Sequence, residues 1–312
     1  MTLVRVGSGL SATRLHVTRE GSGEPLLWIT GFAISSEIFD PVIGHYAASY
    51  DCVRYDNRGA GRSETPWWPA SMAELATDAV RLLDALGIDS AHVYGLSMGG
   101  MIAQEMAIRF PDRVRALVLG GTTHGGPRAA LPSPAVAAVL GSRGAPPAVR
   151  AELVARALFT DAYRREHPDE VAGHLQRLAA HPASLRGVLS HVLASSTHET
   201  RSRLALVQAP TLVMHGELDR FTPVANAEYL AERIPDATLA IVPGTAHVYL
   251  LEEPELSARL FLSWLAARSP VRTGRPLTGL AAAAEPVTRA LGLPLGAARA
   301  AASLATGPFR PR

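Results

Sequence analysis

Residues Val93–Gly100 read VYGLSMGG. Ser97 stands between Gly95 and Gly99, just after the short apolar run AHVYG and just before MIAQEMA, whose apolar spacing is helical. A serine at the junction of strand and helix, with glycine two residues to either side, is the pattern of a very sharp strand-to-helix turn. Side chains at positions 95 and 99 would collide with such a turn, so glycine is used there for what it lacks. The turn lifts the Ser97 hydroxyl clear of the backbone at a helix N-terminus, where free N–H groups stabilise a developing oxyanion. The five-residue pattern alone is a weak signal. Its place between a strand and a helix strengthens it.

The segments on either side agree. RLHVTRE, LLWIT and DCVRYD read as strands before the turn, and RALVLGG, PTLVMHG and ATLAIVPG as strands after it. Helical runs alternate with them: SMAELATDAVRLLDALG, stopped by Gly87; MIAQEMAIRFPDRV, ended by Pro111; PVANAEYLAERI; and EEPELSARLFLSWLAAR. Short apolar strands alternating with helices give the α/β class, with a mostly parallel central sheet and helices on both faces. The alternation breaks over residues 123–203, which hold helix-like segments such as PAVRAELVARALF and no convincing strand. This stretch is expected to be an inserted helical cap, dividing one core domain into residues 1–122 and 204–268. Residues 269–312 form an Ala/Arg/Pro-rich extension expected to contain short helices.

Composition bounds the function. A chain of 312 residues, 47% apolar and 19% charged, buries a sizeable core without disulfides. The single cysteine, Cys52, has no internal partner and sits in an alternating, strand-like run, which reads as a buried structural thiol. The net charge of +2 leaves no nucleic-acid footprint. No apolar stretch reaches the ~20 residues of a membrane span, and the N-terminus has no signal-peptide pattern, so a cytoplasmic location is expected. From Arg268 onward there are seven arginines and one glutamate, leaving the rest of the chain net acidic. The extension is therefore expected to dock on protein, either its own catalytic domain or a second copy in a homodimer, in preference to an anionic membrane.

A serine hydroxyl needs a base, and the base needs an orienting acid. In this architecture the chain order is Ser, acid, His. His124, His167, His174, His181, His191, His198 and His215 lie in the cap or on later strands, and most of them read as surface or packing residues rather than as the base. His247, in VPGTAHVYLLEEPE, falls between the last strand and the last helix, at the edge of the sheet where its strands end. The acid should follow PTLVMHG, where GELDRFTP offers Glu217 and Asp219. The loop needs a residue or two to turn towards the site, which favours Asp219. Gly31, in TGFAISSEIFDPV, lets backbone approach the substrate, and the amides of Phe32 and Met98 are the expected oxyanion donors. His124, Trp67 and Val248 are assigned to substrate binding. For Trp67 and Trp68 two readings stand, guarding the entrance and packing beneath the cap.

From about Leu15 to Ala267 the chain resembles the α/β-hydrolase superfamily. YDNRGAGRS resembles that family's D-x-R-G-x-G-x-S loop, while GLSMGG, GELDRFTP and GTAHVYLLEEPE resemble the nucleophile, acid and histidine loops of 3-oxoadipate enol-lactonases and of cofactor-free haloperoxidase-like esterases. RYDNRGAGRS and HVYGLSMGG are also similar to aclacinomycin methylesterase. One departure is visible: Thr30-Gly31 stands where the family often has His-Gly.

The expected chemistry is hydrolysis of a small to medium, neutral carboxylic ester or lactone through an acyl-enzyme, with no cofactor and no metal. A C–C bond hydrolase or a perhydrolase on the same three residues, and a non-hydrolytic cyclase or binding scaffold, are the alternatives. A haloalkane dehalogenase would need Asp at position 97 and is disfavoured.

Overall fold

The computed structural model describes residues 2–131, 139 and 141–268. The extension from residue 269, with its expected helices and homodimer contact, lies outside the described residues. Leu26, Leu27, Trp28 and Ile29 have no exposed surface. Only a strand with neighbours on both sides and layers on both faces can hide four consecutive large side chains. The strand that carries them is β3 in a sheet of eight: β1 (Thr2–Val6), β2 (Thr13–Gly21), β3 (Glu24–Ile29), β4 (Tyr50–Tyr55), β5 (Ala91–Leu96), β6 (Val114–Gly120), β7 (Thr211–Gly216) and β8 (Ala237–Val242). Their order is β1-β2-β4-β3-β5-β6-β7-β8. β1 and β2 are antiparallel to their neighbours, and β4 to β8 with β3 run parallel. The seven strands read from the sequence are all present. β1 was not among them, because it is a half-exposed edge strand of only five residues without the apolar run of the inner strands.

Alternate residues of each strand serve two cores. Leu27, Ile29, Val53, Tyr55, Val93, Leu117, Leu119 and Val213 pack with helices α2 (Met72–Ala85) and α3 (Met98–Arg109). Leu26, Trp28, Cys52, Tyr94, Val118 and Met214 face α1 (Asp40–Ala47) and the final helix, Pro254–Ala266. On this second face Trp28 stacks on Tyr94 with ring centroids 4.3 Å apart and meets the edge of Tyr46 at 4.7 Å. Cys52 is fully buried there, and burial pushes its thiol up to about 11, as a structural role demands. Helix α2 begins with a capping box between Ser71 and Glu74. It ends as the sequence indicated: Gly87 takes φ +69° while Ile88 N–H bonds the Leu83 carbonyl at 2.9 Å.

Between β6 and β7 the described chain is helical: α4 (Pro147–Leu158), α5 (Asp161–Glu166), α6 (Pro168–Ala180) and α7 (Leu185–Ser196). Helix α8 (Ala225–Arg233) joins β7 to β8, and α9 (Tyr249–Glu252) precedes α10 (Pro254–Ala266). No described helix is long and apolar enough to cross a membrane.

The loop after β4 is held by buried polar contacts. Asp56 accepts from the N–H groups of Ser36 and Arg62 at 2.6 and 2.8 Å, and Ser63 Oγ donates to the Asp56 carbonyl at 2.6 Å. Arg58 pairs with Asp78 of α2, and the two side chains are only 7% and 2% exposed. A buried charge whose partner is deleted is strongly destabilising, by about 3–5 kcal/mol, whereas replacing both members with apolar groups is often nearly neutral. Asp78→Ala should therefore lower unfolding free energy in urea by about that amount. The double variant Arg58→Met/Asp78→Leu should lose clearly less.

Candidate active site

Three loops converge where the parallel strands end. The first is the turn at Ser97, which has φ +58° and ψ −120°, a conformation that non-glycine residues rarely adopt. Its N–H donates to the Gly120 carbonyl at 2.8 Å, and its carbonyl accepts the Thr122 hydroxyl at 2.7 Å. A Cβ at Gly95 would lie 2.3 Å from the Gly99 carbonyl oxygen, and one at Gly99 would lie 2.1 Å from the Ile29 carbonyl oxygen. Both obstacles are backbone and cannot move aside. The glycines thus bring the start of α3 across β5 and onto the end of β3, and Ser97 is left partly exposed at the crossing.

The second loop follows β7. Asp219 is buried; its Oδ1 accepts from the N–H groups of Phe221 and Thr222 at 2.7 and 2.8 Å. Its Oδ2 lies 2.8 Å from His247 Nδ1 and 3.3 Å from His215 Nε2. Burial alone would raise this carboxyl's pKa. The imidazoles of His247 and His215 outweigh it and hold the group well below the usual carboxylate range, so it is ionised at neutral pH. Glu217, two residues earlier, is exposed and accepts only the Gly244 N–H, at 2.8 Å.

The third loop follows β8. His247 is 4% exposed and stacks on Phe221 with centroids 4.6 Å apart. Its ring passes close to Gly121, whose absent Cβ would sit 3.4 Å from Cε1 and Nδ1. Since Ser97 bonds to Gly120, these two glycines at the end of β6 bring the serine and the imidazole to one place. Two residues on, Tyr249 buries its hydroxyl 2.7 Å from that of Tyr94 on β5. Glu252 holds the loop from the other side, accepting from the Ala246 N–H at 2.8 Å and from the Thr160 hydroxyl at 2.7 Å. Burial raises the Glu252 carboxyl's pKa.

Gly31 and Phe32 follow β3, and Gly31 is so close that its Cβ would be 3.3 Å from Ser97 Cβ. Thr30, where the family often has histidine, is fully buried; Asn57 Nδ2 donates to its carbonyl and hydroxyl, both at 3.1 Å. Met98 N–H is the first of α3 and so has no acceptor within its helix. Gly31, Phe32, Ser97, Met98, Asp219 and His247 therefore share one end of the sheet. Val248 is buried beside them, its N–H on the Leu158 carbonyl at 3.3 Å. His124 is buried, with its ring tilted against that of Tyr229 at a centroid distance of 4.6 Å and its pKa lowered by burial. Trp67 is 81% exposed, with the Arg186 guanidinium 4.4 Å above its ring. Neither shares a hydrogen bond or ring contact with Ser97, Asp219 or His247. His215 and Glu252 were not picked out from the sequence. The signal for His215 was its place in MHGELD, four residues before Asp219.

A family model described as the alpha/beta hydrolase fold matches residues 24–254. The chain belongs to the α/β-hydrolase family. It is 30% identical to 3-oxoadipate enol-lactonase 2 of Acinetobacter baylyi, over 74% of this chain and 84% of the relative. It is 29% identical to the provisionally named carbamate hydrolase RutD of Azorhizobium caulinodans, over 80% and 94% of the two chains. Among solved structures, a thermophilic esterase from Thermogutta terrifontis superposes with a TM-score of 0.74 at 25% identity, covering 85% of this chain and 98% of that one. Hydrolase activity is common to these names.

The elbow geometry makes a direct prediction. Gly99→Ala forces a methyl against the Ile29 carbonyl and should destabilise the fold by at least the ~1–3 kcal/mol of core overpacking. Gly44→Ala, inside α1 with nothing within 4 Å of the new Cβ, should be neutral or stabilising by about 0.5–1 kcal/mol. Thermal unfolding of the two variants checks both.

Proposed function

We propose that this α/β-hydrolase cleaves a carboxylic ester or lactone of a small to medium, neutral substrate through an acyl-enzyme on Ser97. The observation that carries the reading is the buried Asp219–His247 contact of 2.8 Å, with the imidazole against Gly121 and the strained, partly exposed Ser97 bonded to the neighbouring Gly120. Ser97 Oγ attacks the carbonyl carbon and passes its proton to His247 Nε2. Asp219 accepts the Nδ1–H, fixing the tautomer and stabilising the imidazolium. The Phe32 and Met98 amides receive the oxyanion, each worth ~3 kcal/mol in the transition state. His247 then protonates the leaving alcohol. It next deprotonates the water that releases the acid. No step calls for a cofactor.

A neutral substrate is favoured because the arginines of the nearby loop are already paired, Arg58 with Asp78 and Arg62 with Glu37. The lactonase and esterase names of the relatives support the ester or lactone class of the substrate. We assign residues 1–122 and 204–268 to the catalytic core and the helices within 123–203 to a cap that walls the pocket. Substitutions in the cap should shift acyl-chain preference more than the rate on an acetate ester.

A fluorophosphonate probe should label the wild-type protein at Ser97 and leave Ser97→Ala unlabelled. On p-nitrophenyl acetate, Ser97→Ala should abolish turnover, and Asp219→Asn should cut kcat by up to ~10⁴. Glu217→Gln should change it little. Turnover retained in Ser97→Ala overturns the mechanism, and a reversed Asp219/Glu217 pattern overturns the acid assignment. Ester, lactone, carbamate and vinylogous diketone substrates, compared in parallel, separate the reaction types.

A further inference from the structure

His191 belongs to α7, in the inserted helical segment, yet its ring reaches the loop after β3. It has no exposed surface. The Ala33 N–H points at His191 Nδ1, 3.0 Å away, and His191 Nε2 lies 2.8 Å from the Arg58 carbonyl oxygen. Each backbone group can play only one role: an amide N–H donates and a carbonyl accepts. Nδ1 must therefore be the unprotonated nitrogen and Nε2 must carry the proton. Burial lowers the ring's pKa and keeps it neutral, which preserves the lone pair on Nδ1.

The segment that this ring grips is strained. Ala33 has φ +55°, and among the described non-glycine residues only Ser97 shares that sign. Such a conformation costs about 1–3 kcal/mol and persists only where the surroundings over-determine it. Ala33 is the residue after Phe32, and the edge of the Phe32 ring also meets the His191 ring, with centroids 6.0 Å apart. Helix α7 is brought within reach by a glycine contact: a Cβ on Gly187 would lie 1.9 Å from the Gly59 carbonyl oxygen. Ser190 Oγ adds a bond from the Ala70 N–H at 2.9 Å. Helix α7 is thus fastened to the core loops at Gly187, Ser190 and His191, and the bond from His191 ends one residue from the Phe32 amide.

We propose that His191 is a positioning residue for the oxyanion site: through its Nδ1 acceptor it holds Ala33 in the left-handed conformation and so aims the Phe32 amide at the reacting carbonyl. The proposal rests on the acyl-enzyme reading above. It also leaves the Ala33 amide consumed, so that Phe32 and Met98 are the donors. The inserted helices then complete the catalytic geometry as well as covering it.

Two substitutions separate the ring's two bonds. Asn places its side-chain oxygen near the Nδ1 position and keeps an acceptor for Ala33, while Gln reaches the Nε2 position and keeps a donor for Arg58. His191→Gln and His191→Leu should lower kcat on p-nitrophenyl acetate about ten- to hundredfold, the range of a misplaced oxyanion donor, with KM within about threefold. His191→Asn should recover kcat to within about threefold of wild type. Equal kcat in wild type and Gln variant, or losses that follow melting temperature across all three variants, would overturn the proposal. Independently of activity, ¹⁵N NMR of the wild-type ring should find the proton on Nε2; a proton on Nδ1 overturns it even where a variant does not fold. Ser97 labelling by the fluorophosphonate keeps the two readings apart. A protein that labels at Ser97 but is indifferent at position 191 sinks the His191 role alone. One that does not label at Ser97 sinks the acyl-enzyme reading, and the ring's tautomer still decides the tether.

Discussion

Everything at the site depends on one steric constraint, the approach of the α3 backbone to the ends of β3 and β5. With Gly95 and Gly99 both facing carbonyl oxygens at distances no Cβ could occupy, the helix can start directly over the sheet. Ser97 must then take φ +58°, and its neighbours hold it there: Gly120 takes its N–H and Thr122 its carbonyl. Strain of this kind persists because the buried ends of β3, β5 and β6 surround it. Trp28 stacks on Tyr94 of β5, the strand that ends in the turn, and the Tyr94 hydroxyl bonds that of Tyr249, two residues from His247. The bond between these two buried phenols is one of several that tie the His247 loop to the core, beside Asp219–His247 and Ala246–Glu252.

How much of this was legible in the sequence follows from the range of each interaction. The turn, the strands and the acid and histidine loops were readable because each depends on residues a few positions apart: glycines flanking a serine, apolar runs, a carboxylate just after a strand. Asp219 was distinguishable from Glu217 by loop length, and the structure puts Asp219 against His247 while Glu217 faces the Gly244 amide in solvent. Helix α1 was not read because its eight residues, with Pro41 and Gly44, are too few for a periodic signal. The roles of His191, His215 and Glu252 were out of reach for a different reason. Their partners lie 158, 4 and 6 or 92 residues away, and the choice between packing and positioning is made by burial and ring orientation, which composition does not encode.

The residues assigned from the sequence to substrate binding show the same limit from the other side. His124 is assigned from its closeness to a strand end, and in the structure its ring is tilted against Tyr229 of α8. Trp67 was left between two readings. At 81% exposure beneath Arg186 it is not packed under the helices, and its ring is covered by a cation on α7.

The contacts between the inserted helices and the core are unusual in being polar where they matter most. Thr160, at the start of α5, bonds Glu252, and Glu252 bonds the Ala246 amide next to His247. His191, on α7, bonds the Ala33 amide next to Phe32. Apolar burial is non-directional and by itself leaves the orientation of polar groups free. A buried hydrogen bond does not, since leaving a buried donor unpaired costs about 1–3 kcal/mol. Two such bonds, one beside the candidate base and one beside a candidate oxyanion donor, fix the inserted helices against the loops whose geometry hydrolysis would need. The exposed apolar positions of α7, Leu185, Leu189 and Val192, take no part in these two bonds.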